Sequence, residues 1–170
     1  PDHPPPRIHF DWALGEAGNI MEQSLSVLDG PQRALIKITL RAFLENEREF
    51  LGLGSQIIHG DVNDHNVLVS LNSEGLNYIS GIIDLGDAHS APRVFDLAIA
   101  IAYGIFGTTD PLLAASEITR GYYTVQPLLD IEIDVLMTLV CARLGQIVCI
   151  ASRQRNQGVP DPYRLISEIG

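Results

Sequence analysis

A chain of 170 residues with a formal net charge of −10, from 11 basic and 21 acidic side chains, has room for one domain that buries roughly 70% of its unfolded surface. Its basic residues gather nowhere beyond the loose pair Arg153 and Arg155, which argues against nucleic acid or an anionic membrane as a partner. The acidic balance suits solubility or a cationic ligand.

Residues 1–10 (PDHPPPRIHF) are proline-rich and read as an extended linker, which leaves 11–170 for the compact domain. From Asn19 to Leu28 apolar side chains recur at helical spacing. Asp29-Gly30-Pro31 interrupts them, and Gln32 to Phe50 resumes with Leu35, Ile38, Phe43 and Leu44, a pattern that predicts a helical hairpin. Gln56–Ile58, Val67–Ser70 and Tyr78–Asp84 are short and rich in β-branched residues, and they predict a small β-ribbon around the loop HGDVNDHN. Pro92 suits the first turn of a helix through VFDLAIAIAYGIF, which is apolar almost all round and therefore central. Asp110 and Pro111 open a helix ending near Gly121, Asp130 opens a long one to about Ser152, and a short helix is expected after Asp161-Pro162. The fold class is mainly α with a small β-ribbon (α+β).

The apolar runs 94–106 and 135–151 contain Asp96, Arg143 and Gln146, so they read as buried helices and not as membrane spans. Cys141 and Cys149 fall eight residues apart on one predicted helix, about 12 Å, too far for a disulfide. Both are expected to be buried and reduced, in a cytoplasmic setting.

Two polar clusters sit at predicted strand ends: His59, Gly60 and Asp61 with Asn66, and Asp84 with Asp87. Adjacent ribbon strands would bring Asn66 and Asp84 to one end of the sheet, facing Asp61. Two carboxylates and an amide oxygen converging there can hold a hard divalent cation such as Mg²⁺, and a carboxylate not consumed by metal can orient or deprotonate a hydroxyl. That is the equipment of phosphoryl transfer.

HGDVNDHN resembles the catalytic loop of the aminoglycoside phosphotransferase and choline kinase family, H-G-D followed by four residues and N, and IIDLGD resembles its metal-binding segment. Asp96-Leu97-Ala98 extends the likeness into the next helix. The stretch from GIIDLGDAHSAPRVFDLAIAI to LVCARLGQIV is similar to the hydroxylysine kinase branch, whose members phosphorylate a small cationic amino acid from a guanine or adenine nucleotide. The resemblance implies a protein-kinase-like C-terminal lobe. It implies Asp61 as the catalytic base that orients the substrate hydroxyl, and Asn66 and Asp84 as ligands of the Mg²⁺ bridging the phosphates of ATP or GTP. His59 and Asp96 would support the loop, and Asp87 is a further candidate for metal contact through water. The implied substrate is small and amine-bearing, such as hydroxylysine, an aminoglycoside or choline.

Gly60 stands where protein kinases carry an arginine that reads a phosphorylated activation loop, which implies a small-molecule kinase. Leu85 stands where phenylalanine is commoner, a departure expected to alter packing and not ligation. The N-terminal lobe of the family, with its strands and its lysine–glutamate pair, has no counterpart here; the one lysine, Lys37, falls on a predicted helix. The expectation is a C-terminal lobe that meets its N-terminal lobe elsewhere in a longer chain and is inactive alone.

Other readings of the same residues stay open. Asp61 and Asn66 can cap backbone groups of a polar loop, and Asp84 and Asp87 can finish a strand-end turn. GDVND also matches a metallophosphoesterase piece, but the D-x-H and G-N-H that such enzymes need do not occur. The alternative from a different class is a catalytically silent kinase-like binding or regulatory module of a multidomain protein, including one fused to a class III aminotransferase. His65 and His89 read as loop histidines, and Trp12, Tyr122 and Tyr123 read as packing residues before pocket residues.

Overall fold

The computed structural model describes residues 10–158. The proline-rich opening, apart from Phe10, and the helix expected after Asp161-Pro162 lie outside the described residues.

A 3-10 turn at Leu14–Glu16 leads into α1 (Ala17–Ser24). The break at Asp29-Gly30-Pro31 is a helix start. Asp29 accepts from the backbone N–H of Gln32 at 2.8 Å, and Pro31 occupies the first turn of α2 (Gly30–Glu45), where its missing N–H leaves no bond unmade. The single second arm expected through Phe50 is interrupted at Asn46, and the short α3 (Glu47–Leu51) follows. In α2 the core-facing stripe is Ile36, Leu40 and Phe43, at i, i+4 and i+7, whereas Leu35, Ile38 and Leu44 are exposed.

The predicted ribbon is two ribbons. β2 (Val67–Leu71) pairs antiparallel with β3 (Asn77–Ile82), from Val67 opposite Ile82 to Leu71 opposite Asn77. β1 (Ser55–Ile58) pairs instead with β4 (His89–Pro92), an element the sequence reading lacks because HSAP shows no alternation of apolar residues. Pro92 is therefore the last residue of β4, opposite Ser55, and not a first-turn helix residue; proline is tolerated at such a strand end.

α4 (Val94–Gly104) is buried along nearly its whole length, as its sequence requires. α5 (Pro111–Val125) is capped by Asp110, which accepts from the N–H of Leu113 at 3.0 Å, and runs four residues past the expected end. α6 (Asp130–Asn156) spans 27 residues and packs on α1, α2 and α4. By length and composition it could cross a bilayer, but 61% of its apolar window is buried inside the fold, so it is the central core helix. Cys149 is buried on α6 and Cys141 is exposed, against the expectation that both are inside. Eight residues advance a helix by about 80° beyond two full turns, enough to put the two thiols on different faces.

Candidate active site

The loop between β1 and β2 is built around the carboxylate of Asp96, in the first turn of α4. Its Oδ2 accepts from the N–H of His59 and its Oδ1 from the N–H of Gly60, each at 2.8 Å. This charged acceptor satisfies two successive backbone donors and pins the loop to the core helix. Gly60 is buried at φ +80°; a Cβ there would sit 2.6 Å from the Asp87 carbonyl oxygen and 2.9 Å from His89 Nδ1, so no larger residue fits. His59 donates from Nε2 to the Ile83 carbonyl at 2.9 Å, which leaves Nδ1 to accept the N–H of Asp61 at 3.3 Å. The first polar segment is thereby joined to the second.

Asp61 projects from this frame with its carboxylate held on both oxygens. Oδ2 accepts from Asn63 Nδ2 at 2.8 Å and Asn66 Nδ2 at 3.1 Å, and Oδ1 accepts from Arg143 Nη2 at 3.1 Å. Asn66 Nδ2 also donates to the Asp61 carbonyl at 2.9 Å, so the amide is turned with its nitrogen toward Asp61 and its Oδ1 away. Asn63 turns the loop by accepting from the N–H groups of His65 and Asn66 on one oxygen.

Asp84 comes to the same end of the β2–β3 ribbon. The N–H of Ile83 donates to the Asn66 carbonyl at 2.9 Å, one step beyond the Val67–Ile82 pair, so the residue preceding Asp84 is bonded directly to Asn66. Asp84 itself has φ 61°, a left-handed conformation uncommon for a residue with a Cβ, and its Oδ1 accepts from the N–H of Gly86 at 3.0 Å. Asp87 closes the 3-10 turn Leu85–Asp87, and its carbonyl accepts from His89 Nδ1 at 2.8 Å.

Asn66 Oδ1 and Asp84 Oδ2 are hard oxygen donors that none of these bonds uses, and they fit a divalent cation of the Mg²⁺ kind. Among the described residues no three His, Cys, Asp or Glu side chains converge on a metal position. A cation here would therefore draw its remaining ligands from water and phosphate, as Mg²⁺ does beside nucleotides.

Two residues of the cluster were not singled out from the sequence. Asn63 gave no signal beyond its place in a polar loop. Arg143 did: an arginine inside an apolar run must be paired, and here it is fully buried with Asp61 as its ion partner. α4 is fixed at its start by a second ion pair. Arg93 Nε and Nη2 donate to the two oxygens of buried Glu132 at 2.7 and 2.6 Å, and Glu132 also accepts the N–H of Leu129 at 2.8 Å. The hydrogen bond from Arg93 holds the Glu132 carboxyl below its ordinary range against the opposing effect of burial. His65 and Tyr123 are exposed, and Tyr122 packs at the margin of the core, where burial pushes its hydroxyl up.

The profile of the phosphotransferase enzyme family matches residues 1–128. The chain belongs to that family. Family members similar to it are hydroxylysine kinases: that of Mus musculus is 32% identical over 151 residues, 86% of this chain and 40% of the relative. That of Danio rerio is 32% identical over 156 residues, 88% of this chain and 44% of the relative, and that of Xenopus laevis 39% identical over 100 residues, 56% and 27%. The chain thus spans less than half the length of the curated relatives it matches. For a member of this phosphotransferase family, the α+β architecture, with its helical bulk and short antiparallel ribbons, is that of a kinase-like C-terminal lobe.

Proposed function

We propose that this chain is the catalytic C-terminal lobe of a small-molecule kinase that moves the γ-phosphoryl group of ATP or GTP to a hydroxyl of a small amine-bearing substrate, hydroxylysine before an aminoglycoside or choline. The observation that carries the reading is the convergence of Asp61, Asn66 and Asp84 at one end of the β2–β3 ribbon, locked by the Asn66–Asp61 and Ile83–Asn66 bonds.

In this reading Asp61 accepts the hydrogen bond of the substrate hydroxyl and so aims its oxygen at the γ-phosphorus. As the new O–P bond forms, the bond from the γ-phosphorus to the β-bridging oxygen breaks, and its electron pair leaves with the nucleoside diphosphate. The hydroxyl proton passes to Asp61 and from there to solvent. Asn66 and Asp84 hold Mg²⁺, which when bound neutralises phosphate charge. Asp87 stands next to the same site as a water-mediated contact. His59 and Asp96 fix the loop on which all of this depends. The formal charge of −10 suits a cationic acceptor, and two free cysteines suit a reducing, cytoplasmic setting. The partner in cis is an N-terminal lobe that covers the nucleotide, so residues 1–170 alone are expected to be inactive.

The test is Asp61→Asn in the full-length protein with 5-hydroxylysine as acceptor: turnover should fall by about 10³-fold or more while Mg²⁺-nucleotide affinity changes little. Wild-type turnover would remove Asp61 from the chemistry. Calorimetry separates the silent-module alternative, which requires that the full-length protein bind no Mg²⁺-nucleotide at all.

A further inference from the structure

Arg143 lies in the middle of α6 with none of its surface exposed. Four of its five N–H donors are used. Nη1 donates to the Trp12 carbonyl at 2.7 Å and to Gln146 Oε1 at 3.1 Å, and Nη2 donates to Asp61 Oδ1 at 3.1 Å and to Tyr103 Oη at 3.3 Å, while Nε has no partner among the described residues. The guanidinium is also flanked by two rings, with Cζ 5.0 Å from the centroid of Trp12 and 5.4 Å from that of Tyr103. A planar fork held by four bonds and two rings does not rotate, and its orientation is passed on to whatever it binds.

We propose that Arg143 is a positioning residue for phosphoryl transfer: it sets the Asp61 carboxylate so that one acceptor site, on Oδ1, is left for the substrate hydroxyl. The proposal rests on the reading of Asp61 as the group that orients that hydroxyl. A carboxylate offers about four lone-pair sites. Asn63 and Asn66 take two on Oδ2 and Arg143 takes one on Oδ1, so a single site is left by the described residues. The Asp61 side chain is 21% exposed, so that site can be reached. Without Arg143 the carboxylate could turn about its Cβ–Cγ bond and present two free sites with no fixed direction. Stability alone does not account for a charge in this place, since well-packed apolar side chains commonly replace buried ion pairs at no loss. Nor is Arg143 needed to tether the segment around Trp12, because Gln146 Nε2 already donates to the carbonyls of Asp11 and Ala13 at 2.6 and 3.0 Å. The contact that nothing duplicates on α6 is the one to Asp61.

The experiment compares Arg143→Met, Arg143→Lys, Asp61→Asn, the double variant of Arg143→Met with Asp61→Asn, and Leu139→Ala, all in the full-length protein. Leu139 is fully buried one turn earlier on α6, and its aliphatic side chain gives a loss of stability without removing a hydrogen bond to Asp61. Turnover and KM are measured with 5-hydroxylysine and ATP or GTP, beside thermal midpoints. Arg143→Met is expected to lower kcat by about 100-fold, the scale of a misaimed reacting group, with nucleotide KM within about twofold. Arg143→Lys, which keeps the buried charge if the methionine variant folds poorly, is expected to lose about tenfold, because one ammonium cannot reproduce the planar fork. Adding Arg143→Met to Asp61→Asn should cost almost nothing further, since both act through one carboxylate. Leu139→Ala should lose stability and keep kcat.

Multiplying losses in the double variant, or an equal kcat loss in Leu139→Ala, would overturn the proposal. So would a crystal structure of Arg143→Met or Arg143→Lys with Asp61 unmoved, a readout that needs no substrate. If Asp61→Asn retains turnover, the proposed function fails; if Asp61→Asn collapses while both Arg143 variants stay active, only the role of Arg143 fails.

Discussion

Asp96 is a single side chain on which the position of the whole loop depends. It offers one oxygen each to the N–H groups of His59 and Gly60, and among the described residues no other group accepts from either. Asp96→Ala leaves two partly or fully buried donors unmatched, at a cost of about 3 kcal/mol, whereas Asp96→Asn keeps one acceptor and should lose roughly half of that. Chemical denaturation of the two variants measures both numbers, and an alanine variant of wild-type stability would show that the loop finds other partners. Gly60→Ala acts on the same loop through the backbone: a left-handed φ costs a side chain about 2 kcal/mol, and the 2.6 Å approach to the Asp87 carbonyl adds to it. A thermal midpoint that does not fall in Gly60→Ala would refute the close approach. At this scale the arrangement of the candidate site was legible where its residues are near in sequence. His59, Asp61, Asn66 and Asp84 stand out because their offsets fit one loop and one hairpin. Arg143 lies 82 residues beyond Asp61 and meets it only because α6 packs under the loop, a relation that no spacing rule carries.

Among the elements, α4 and α6 run side by side and are locked at their starts by Arg93 and Glu132. The hydrogen bond from Arg93 lowers the folded-state pKa of Glu132 relative to the unfolded chain. A depressed carboxylate pKa contributes stability that is complete above the ordinary glutamate value and disappears as pH falls through the folded one. Glu132→Gln should therefore cost about 2 kcal/mol near pH 7, the scale of a charge-assisted pair, and the gap to wild type should close in acid, below about pH 4. Denaturation midpoints of both proteins from pH 7 to 3 test the sign; a gap that widens in acid would be the wrong one. The thiols on α6 report its packing. Burial raises both thiol pKa values, yet Cys141 is exposed while Cys149 is enclosed. A maleimide reagent should modify Cys141 slowly in the native state and Cys149 only on unfolding; equal native rates would mean that α6 is not seated as described. Helix starts were the legible part of this layer, since Asp29, Asp110 and the prolines after them announce caps chemically. The ribbons were less so: the pairing of β1 with β4 depends on where the loop returns, and β4 has no pattern of its own.

The whole molecule has a dry side and an unfinished one. Helices α1, α2, α4 and α6 share one core, whereas among the described residues β2 and β3 pair only with each other and no helix packs extensively on them. Leu68, Val69, Leu71, Tyr78, Ile79 and Ile82 are all exposed there, and so are Ile83 and Leu85 on either side of Asp84. A two-stranded ribbon is marginal by itself, and apolar side chains left exposed on both of its faces mark a place that something covers. The relatives are more than twice as long as the matched segment, and under the proposed function, which puts the nucleotide at the end of this ribbon, an N-terminal lobe and the nucleotide base would cover it. Residues 1–170 prepared alone should then bind an environment-sensitive apolar dye and associate at micromolar concentration. The in-register pair Val69 and Ile79, 59% and 66% exposed, allows a targeted test: Val69→Glu with Ile79→Lys places opposite charges across the strands, which preserves pairing while breaking up the apolar surface of one face. That variant should lose most dye binding and sediment as a monomer with its helical circular dichroism unchanged. If dye binding and association persist at the wild-type level, the exposed surface that matters lies off the ribbon, and the covering of this face by a second lobe loses its physical basis.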